Sequence, residues 1–136
     1  MSVEENKAIV ERWNRAWHER DWDTVEELAA EDYVIHPGEL NKEQHIKRGK
    51  EMGLNEAFSD TKFETHDVIA EGDKVVVRYT QSGRHTGEFW GVPPTNKVIS
   101  QRGTHIWRLR DGKIVEEWTC TDMLGVMQQL GLVPTG

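Results

Sequence analysis

One cysteine, Cys120, stands alone in 136 residues. Its solitude excludes an internal disulfide and every zinc pattern built from several cysteines, and it suits a reducing compartment, so a cytoplasmic protein is expected. Long apolar runs are also missing, since none approaches the ~20 residues that span a bilayer. The opening Met1-Ser2-Val3-Glu4-Glu5 lacks the basic stretch and apolar run of a secretory leader. A soluble, unprocessed chain with no membrane contact is the expectation. Positive charge is in deficit, with 17 Lys and Arg against 24 Asp and Glu and a net charge of −7. Nucleic-acid affinity rests on cations that neutralise phosphates, so no nucleic-acid partner is expected. Internal repeats, linkers and low-complexity stretches are absent as well, which leaves residues 1–136 as one domain, long enough to bury a core with a pocket inside it.

What the chain does have is six tryptophans, rings favoured where apolar bodies line pockets or interfaces. Ser2 and Glu5 have capping-box spacing, and Ile9, Val10, Trp13, Ala16 and Trp17 recur on one helical face, predicting a helix from about Val3 to His18. Asp23 and Glu26 repeat the capping spacing ahead of a short second helix ending near Glu31, and Tyr33 to His36 reads as a strand stopped by Pro37-Gly38. Lys42 to Phe58 is helix-compatible, anchored by Ile46, Met52, Leu54 and Phe58. From Lys62 onward, β-branched and aromatic runs alternate with turn signals at Glu71-Gly72-Asp73, Pro93-Pro94-Thr95-Asn96 and Asp111-Gly112, predicting a four-stranded antiparallel meander. Met123 to Leu130 closes the chain as a helix, with Gly131 and Pro134 beyond it. Helices first and strands afterwards indicate an α+β fold, in which N-terminal helices cover a curved antiparallel sheet wrapped around a pocket.

Three separated blocks carry a family resemblance. Gly83-Arg84-His85-Thr86-Gly87 with Gly91-Val92-Pro93-Pro94-Thr95 forms a G-x-H-x-G…G-x-P-P-T signature, and Asp111 to Trp118 and Asp122 to Gly131 follow it. In these blocks the chain resembles the SnoaL-like polyketide cyclases of the nuclear-transport-factor-2-like fold. That resemblance implies a cone-shaped barrel, commonly paired as a homodimer, that closes a ring of a hydrophobic polyketide ester by intramolecular aldol condensation without metal or cofactor. Such chemistry needs a base whose pKa is raised by an apolar pocket, with donors where enolate charge develops.

The resemblance places the family's catalytic aspartate at Thr119, and threonine alone is no general base near neutral pH. Asp122 is the nearby substitute, although Asp before a helical segment is also an N-cap. His105 matches a histidine of the family's active site, and alternation places it inward with Gln101, Gly103, Trp107 and Leu109. A two-residue Asp111-Gly112 turn would set His105 opposite Trp118, whereas a three-residue turn would set it opposite Glu117. Apolar content favours the first case. The resemblance favours the second, with Val115, Glu117 and Thr119 inward, and there Glu117 and His105 would form a cross-strand dyad.

Trp17, His36, Arg78, Gln101 and Thr119 complete the candidate substrate contacts, while His105, Glu117 and Asp122 are the candidate catalytic groups. Trp17 aligns with a ligand-facing aromatic of the cyclases, and His36 ends the first strand near the expected pocket floor. Arg78 matches an arginine of related epoxide hydrolases, although Val75, Val77 and Tyr79 form the more apolar face of its strand. His36, His85, His105 and Asp122 offer no pair with the short spacing of histidine metal ligands, so no metal site is expected. Val98, Ile106 and Trp118 would share the outer face, where a homodimer would cover them. The leading expectation is a cofactor-free enzyme acting by acid–base chemistry on a hydrophobic carbonyl compound. A non-catalytic binding module is the alternative, as is a hydrolase or isomerase with Arg78 turned inward.

Overall fold

The computed structural model describes residues 2–52 and 54–134. The chain runs α1 (Val3–Glu19), α2 (Trp22–Leu28), β1 (Ala29–His36), β2 (Leu40–Asn41), α3 (Lys42–Glu51), α4 (Leu54–Ala57), β3 (Phe58–Glu71), β4 (Lys74–His85), β5 (Val98–Arg110), β6 (Lys113–Thr121) and α5 (Met123–Gln129). The capping box at Ser2 and Glu5 starts α1 with both reciprocal hydrogen bonds in place. The cap of α2 is Asp21 rather than Asp23, because the left-handed Arg20 ends α1 and Trp22 is already helical. That helix stops at Leu28 instead of Glu31, and β1 starts at once because Ala29, Ala30, Tyr33 and Ile35 are needed in the core. Likewise β3 begins at Phe58, where Lys62 was expected, and pairs with the end of β4. The Leu54 side chain, expected as an apolar anchor, lies outside the described residues.

The described strands form one curved sheet in the order β2-β1-β6-β5-β4-β3. The meander from β3 to β6 is antiparallel as predicted, but β1 runs parallel to β6, so the sheet is mixed. A segment containing α3 and α4, instead of a hairpin, joins β1 to the meander, and nothing in such a connection obliges antiparallel pairing. Helix α1 lays Val10, Trp13 and Ala16 against the inner face, where they meet Tyr33, Val75, Val77, Trp107 and Ile114. Burying each of these large side chains contributes roughly 1.5–3 kcal/mol.

The hairpin between β5 and β6 decides which side chains face this core. Its turn has two residues, Asp111 and Gly112, both at positive φ, which suits the twist of a tight hairpin. Arg110 pairs with Lys113 and Leu109 with Ile114, but Arg108 then pairs with Glu116, so Val115 is one extra residue on β6. This bulge buries both Ile114 and Val115 and reverses the alternation beyond it. Glu117 and Thr119 therefore turn inward, as the resemblance implies, through the short turn that composition favours. The partner of His105 is Thr119, and Glu117 faces Trp107, one step diagonally away.

Candidate active site

Four adjacent strands each place one polar side chain in the apolar interior: Tyr33 on β1, Glu117 on β6, His105 on β5 and Tyr79 on β4. They follow one another across the sheet in that order. The Tyr33 hydroxyl donates to Glu117 Oε1 at 2.7 Å. Glu117 Oε2 lies 3.7 Å from His105 Nδ1, and His105 Nε2 lies 3.0 Å from the Tyr79 hydroxyl. Thr121 Oγ1 approaches the same imidazole nitrogen at 3.5 Å.

Burial sets the protonation of this row. Only 4% of Glu117 is exposed, and loss of water pushes its carboxyl up to about 7, while the Tyr33 hydroxyl, the Trp107 indole and the nearby Arg48 charge pull the other way. Burial pushes the His105 imidazole down to about 4, so it is neutral at physiological pH. The 3.7 Å approach of these two groups is then neither an ion pair nor a hydrogen bond. Both phenols are driven upward by burial and stay protonated donors. A carboxyl that exchanges its proton near pH 7, flanked by neutral donors in a dry environment, has the properties of a general base for removing a proton beside a carbonyl.

A cavity of ≈ 110 Å³ lies beside the row, lined by Trp17, Phe58, Phe89, Gln101 and Met123 among others. Gln101 pairs with Gln81 at its floor, and the next inward pair along the same strands is Gly103 with Tyr79. A Cβ at Gly103 would stand 2.6 Å from the Tyr79 ring, so glycine is what lets that ring lie flat on β5. The ring also stacks on Phe63 at 4.8 Å. Tyr79 is therefore one inward pair along β4 from Gln81 of the lining, while Tyr33, Glu117, His105 and Tyr79 themselves are not lining residues of the cavity.

The candidate residues fall into four groups. His105 and Glu117 share the buried row, whereas Trp17 and Gln101 line the cavity. Thr119 stands opposite His105, its hydroxyl donating to the His36 carbonyl at 3.2 Å. Three candidates lie elsewhere. Asp122 caps α5 by accepting from the Gly125 N–H at 2.9 Å and pairs with Arg102. His36 turns to the opposite face of β6, hydrogen-bonded to Glu39 and Glu116 and stacked on Trp118. The parallel pairing of β1 causes this, since His36 sits beside Trp118 and not beside an inward residue. Arg78 is exposed and bonded to Asp67 at 2.6 Å, as the apolar face of β4 requires, so the feature of a hydrolase or isomerase pocket is missing.

The sequence reading overlooked Tyr33, Tyr79 and His45. The apolar face of Val75, Val77 and Tyr79 already turned Tyr79 inward, but the direction of Tyr33 was not read, and the hydroxyl partners of both come from strands distant in sequence. His45, on the weakly patterned α3, is buried between Trp17 (4.5 Å) and Tyr33 (5.8 Å). Burial pushes its imidazole down to about 4, and no sequence signal pointed to it. The signature histidine, His85, is fully buried and receives the Thr95 N–H on Nδ1, tying the loop after β4 to its base. Among the described residues, no group of three or more His, Cys, Asp or Glu side chains is placed to hold a metal ion. No described helix is long and apolar enough to cross a membrane.

A profile of the SnoaL-like polyketide cyclases matches residues 7–130. The chain belongs to the SnoaL-like polyketide cyclase family. Within this family it is 31% identical over 130 residues to the aklanonic acid methyl ester cyclase DauD of Streptomyces sp. (strain C5), covering 90% of this chain and 80% of the relative. The nogalonic acid methyl ester cyclase of Streptomyces nogalater is 31% identical over 110 residues, 74% of this chain and 82% of that one. Among solved SnoaL-like structures, IdmH of Streptomyces antibioticus, a proposed polyketide cyclase, superposes with a TM-score of 0.83 at 30% identity, covering 93% of this chain and 98% of its own. AclR of Streptomyces galilaeus, a proposed hydroxylase, superposes with a TM-score of 0.86 at 31% identity, covering 99% and 86%.

Proposed function

We propose that this protein is a cyclase-type enzyme that removes a proton beside a carbonyl of a hydrophobic, ring-forming compound, with Glu117 as its general base. The observation that carries the reading is the buried Glu117 carboxyl, titrating at about 7 between the Tyr33 hydroxyl and a neutral His105. Thr119 takes the position at which the resemblance puts an aspartate, and Glu117 supplies a carboxylate two residues earlier on the same face of β6. The C–H proton passes to Glu117, its electron pair remains on the substrate as an enolate, and the enolate carbon attacks a second carbonyl. That alkoxide then takes a proton back. His105 and Tyr79 are the donors for the developing negative oxygen. Proton movements suffice for every step, which is why a cofactor-free reaction is proposed.

A substrate held in the cavity must extend beyond its lining to reach Glu117, and the mainly apolar lining with Gln81 and Gln101 in it suits an apolar compound bearing carbonyls. Aklanonic acid methyl ester and nogalonic acid methyl ester, the compounds in the relatives' names, are the first probes. Ring closure and solvent deuterium uptake at the acidic carbon are followed by mass spectrometry. With Glu117→Gln both should fall by ~10²–10⁴-fold, and unchanged rates would sink the reading. The absence of Tyr33, Tyr79, His105 and Glu117 from the cavity lining favours a second reading, a ligand-binding module without catalysis. Saturable binding of either ester with no deuterium uptake by the wild type would establish that one.

A homodimer is part of the proposal, supported by the outer sheet face, where Val98 is exposed and Ile106 and Trp118 remain half-buried. A cytoplasmic location is proposed on the strength of the lone Cys120.

A further inference from the structure

The two oxygens of Glu117 stand in different surroundings. Oε1 accepts the Tyr33 hydroxyl at 2.7 Å, a distance typical of a good O–H···O bond. Oε2 has no such donor and faces His105 Nδ1 at 3.7 Å. Tyr33 itself is held rigidly: it is 2% exposed, its ring packs on Trp13 at 5.6 Å and stacks on His45 at 5.8 Å with 20° between the planes. Its backbone is fixed beside β6 by the parallel pairing of Val34 with Glu116 and Ile35 with Glu117. A phenol this constrained cannot follow the carboxylate if it rotates, so it selects one rotamer.

We propose that Tyr33 is the positioning residue of the site, anchoring Glu117 through Oε1 so that Oε2, on the His105 side, is the oxygen that receives the substrate's proton. This rests on the reading of Glu117 as the base. In the proton transfer the C–H bond breaks, the new O–H bond forms at Oε2 and the electron pair stays on the substrate carbon. Tyr33 keeps its own proton throughout and never touches the substrate. His45, stacked on the phenol, also meets the Trp17 ring of the cavity lining at 4.5 Å with 37° between the planes. The anchor of the base and the cavity lining thus belong to one aromatic cluster.

Tyr33→Phe removes one oxygen and keeps the ring. The test is a titration of the wild type and this variant, with glutamate carboxyl carbons labelled with carbon-13 and followed by NMR. Glu117 is assigned by the resonance that Glu117→Gln removes. A hydrogen bond to a charged group is worth about 1.5–3 kcal/mol, so its loss should raise the Glu117 titration by ~1–2 pH units. A Glu117 resonance that titrates at the same pH in both proteins would overturn the anchor. Because a packing defect at Tyr33 could alter the site by itself, Tyr33→Leu is titrated alongside. Tyr33→Leu and Tyr33→Phe should shift Glu117 alike, whereas a shift in Tyr33→Leu alone would assign Tyr33 a packing role and overturn the proposal. None of these readouts needs turnover, so they stand apart from the deuterium-uptake assay of Glu117→Gln, which decides whether Glu117 is the base at all.

Discussion

Burying Glu117 affects stability as well as chemistry. Its carboxyl titrates at about 7 in the fold against 4.5 for an ordinary glutamate, so between those values the folded chain holds a proton that the unfolded chain has released. The stability contributed by the protonated form is complete below pH 4.5 and is lost as pH rises to about 7, a change of about 3 kcal/mol. Glu117→Gln has no such loss, and urea unfolding should show it gaining about 3 kcal/mol on the wild type between pH 4.5 and 8. His45 and His105 act in the opposite sense. Both sit at about 4 in the fold against 6.5 outside it, so the stability of the Gln variant should climb as pH rises from 4 to 6.5. Asp122 supplies a contrast at the same scale. As the α5 N-cap, its replacement by Ala should cost ~1 kcal/mol and leave turnover within twofold, measured by melting and by the ring-closure assay.

Single elements carry the geometry that these residues depend on. The bulge on β6 is one: Val115 is the extra residue that returns Glu117 to the inner face. Deleting Val115 would remove the extra residue and leave a regular ladder, Ile114 with Leu109 and Glu116 with Arg108, so Glu117 and Thr119 would keep the inner face while the buried Val115 side chain is lost. The near-UV circular dichroism of the tryptophans should be retained, with urea unfolding showing a loss of about 1.5–3 kcal/mol. Gly103 on β5 is the other. The Tyr79 ring occupies the space a side chain would need, and Gly103→Ala should displace it at a cost of about 1–3 kcal/mol. The variant should also disturb the Tyr79 hydroxyl's contact with His105, seen as a lowered deuterium uptake from the two ester probes. Secondary structure was readable at this scale wherever a local rule applied, as with the Ser2 and Glu5 capping box or the Val75, Val77 and Tyr79 face. It was misread where tertiary demand overrode the local signal: Ala29 to Glu31 looked helical, but they belong to β1, which pairs with β6.

For the whole molecule, the outer face of the sheet carries the oligomer prediction. Sedimentation equilibrium should give twice the chain mass, and Ile106→Arg, which places charge on that face, should return the mass of one chain without unfolding it. The fold itself was legible from sequence, because the helices-then-strands order and the blocks around His85, Asp111 and Asp122 all constrain one architecture. The site was legible only in part. The inward direction of His105 was legible because strand alternation and the resemblance agree on it, whereas for Glu117 apolar content pointed outward and only the resemblance pointed inward. His36 was misplaced because its direction depends on the parallel pairing of β1 with β6, whereas Arg78, placed in the pocket only by the resemblance, follows the outward face that the composition of β4 gave it.

The sequence by itself determined the α+β order, the capped α1 and the apolar face of β4, since each follows from short-range periodicity or capping chemistry, but it left the length of the Asp111-Gly112 turn open. Only the tertiary structure decided that Tyr33, Glu117, His105 and Tyr79 form one row. They lie on four strands up to 84 residues apart in the chain, and their alignment depends on sheet order and on a bulge. Both are settled by which arrangement buries the apolar faces together, and that is a property of the assembled core.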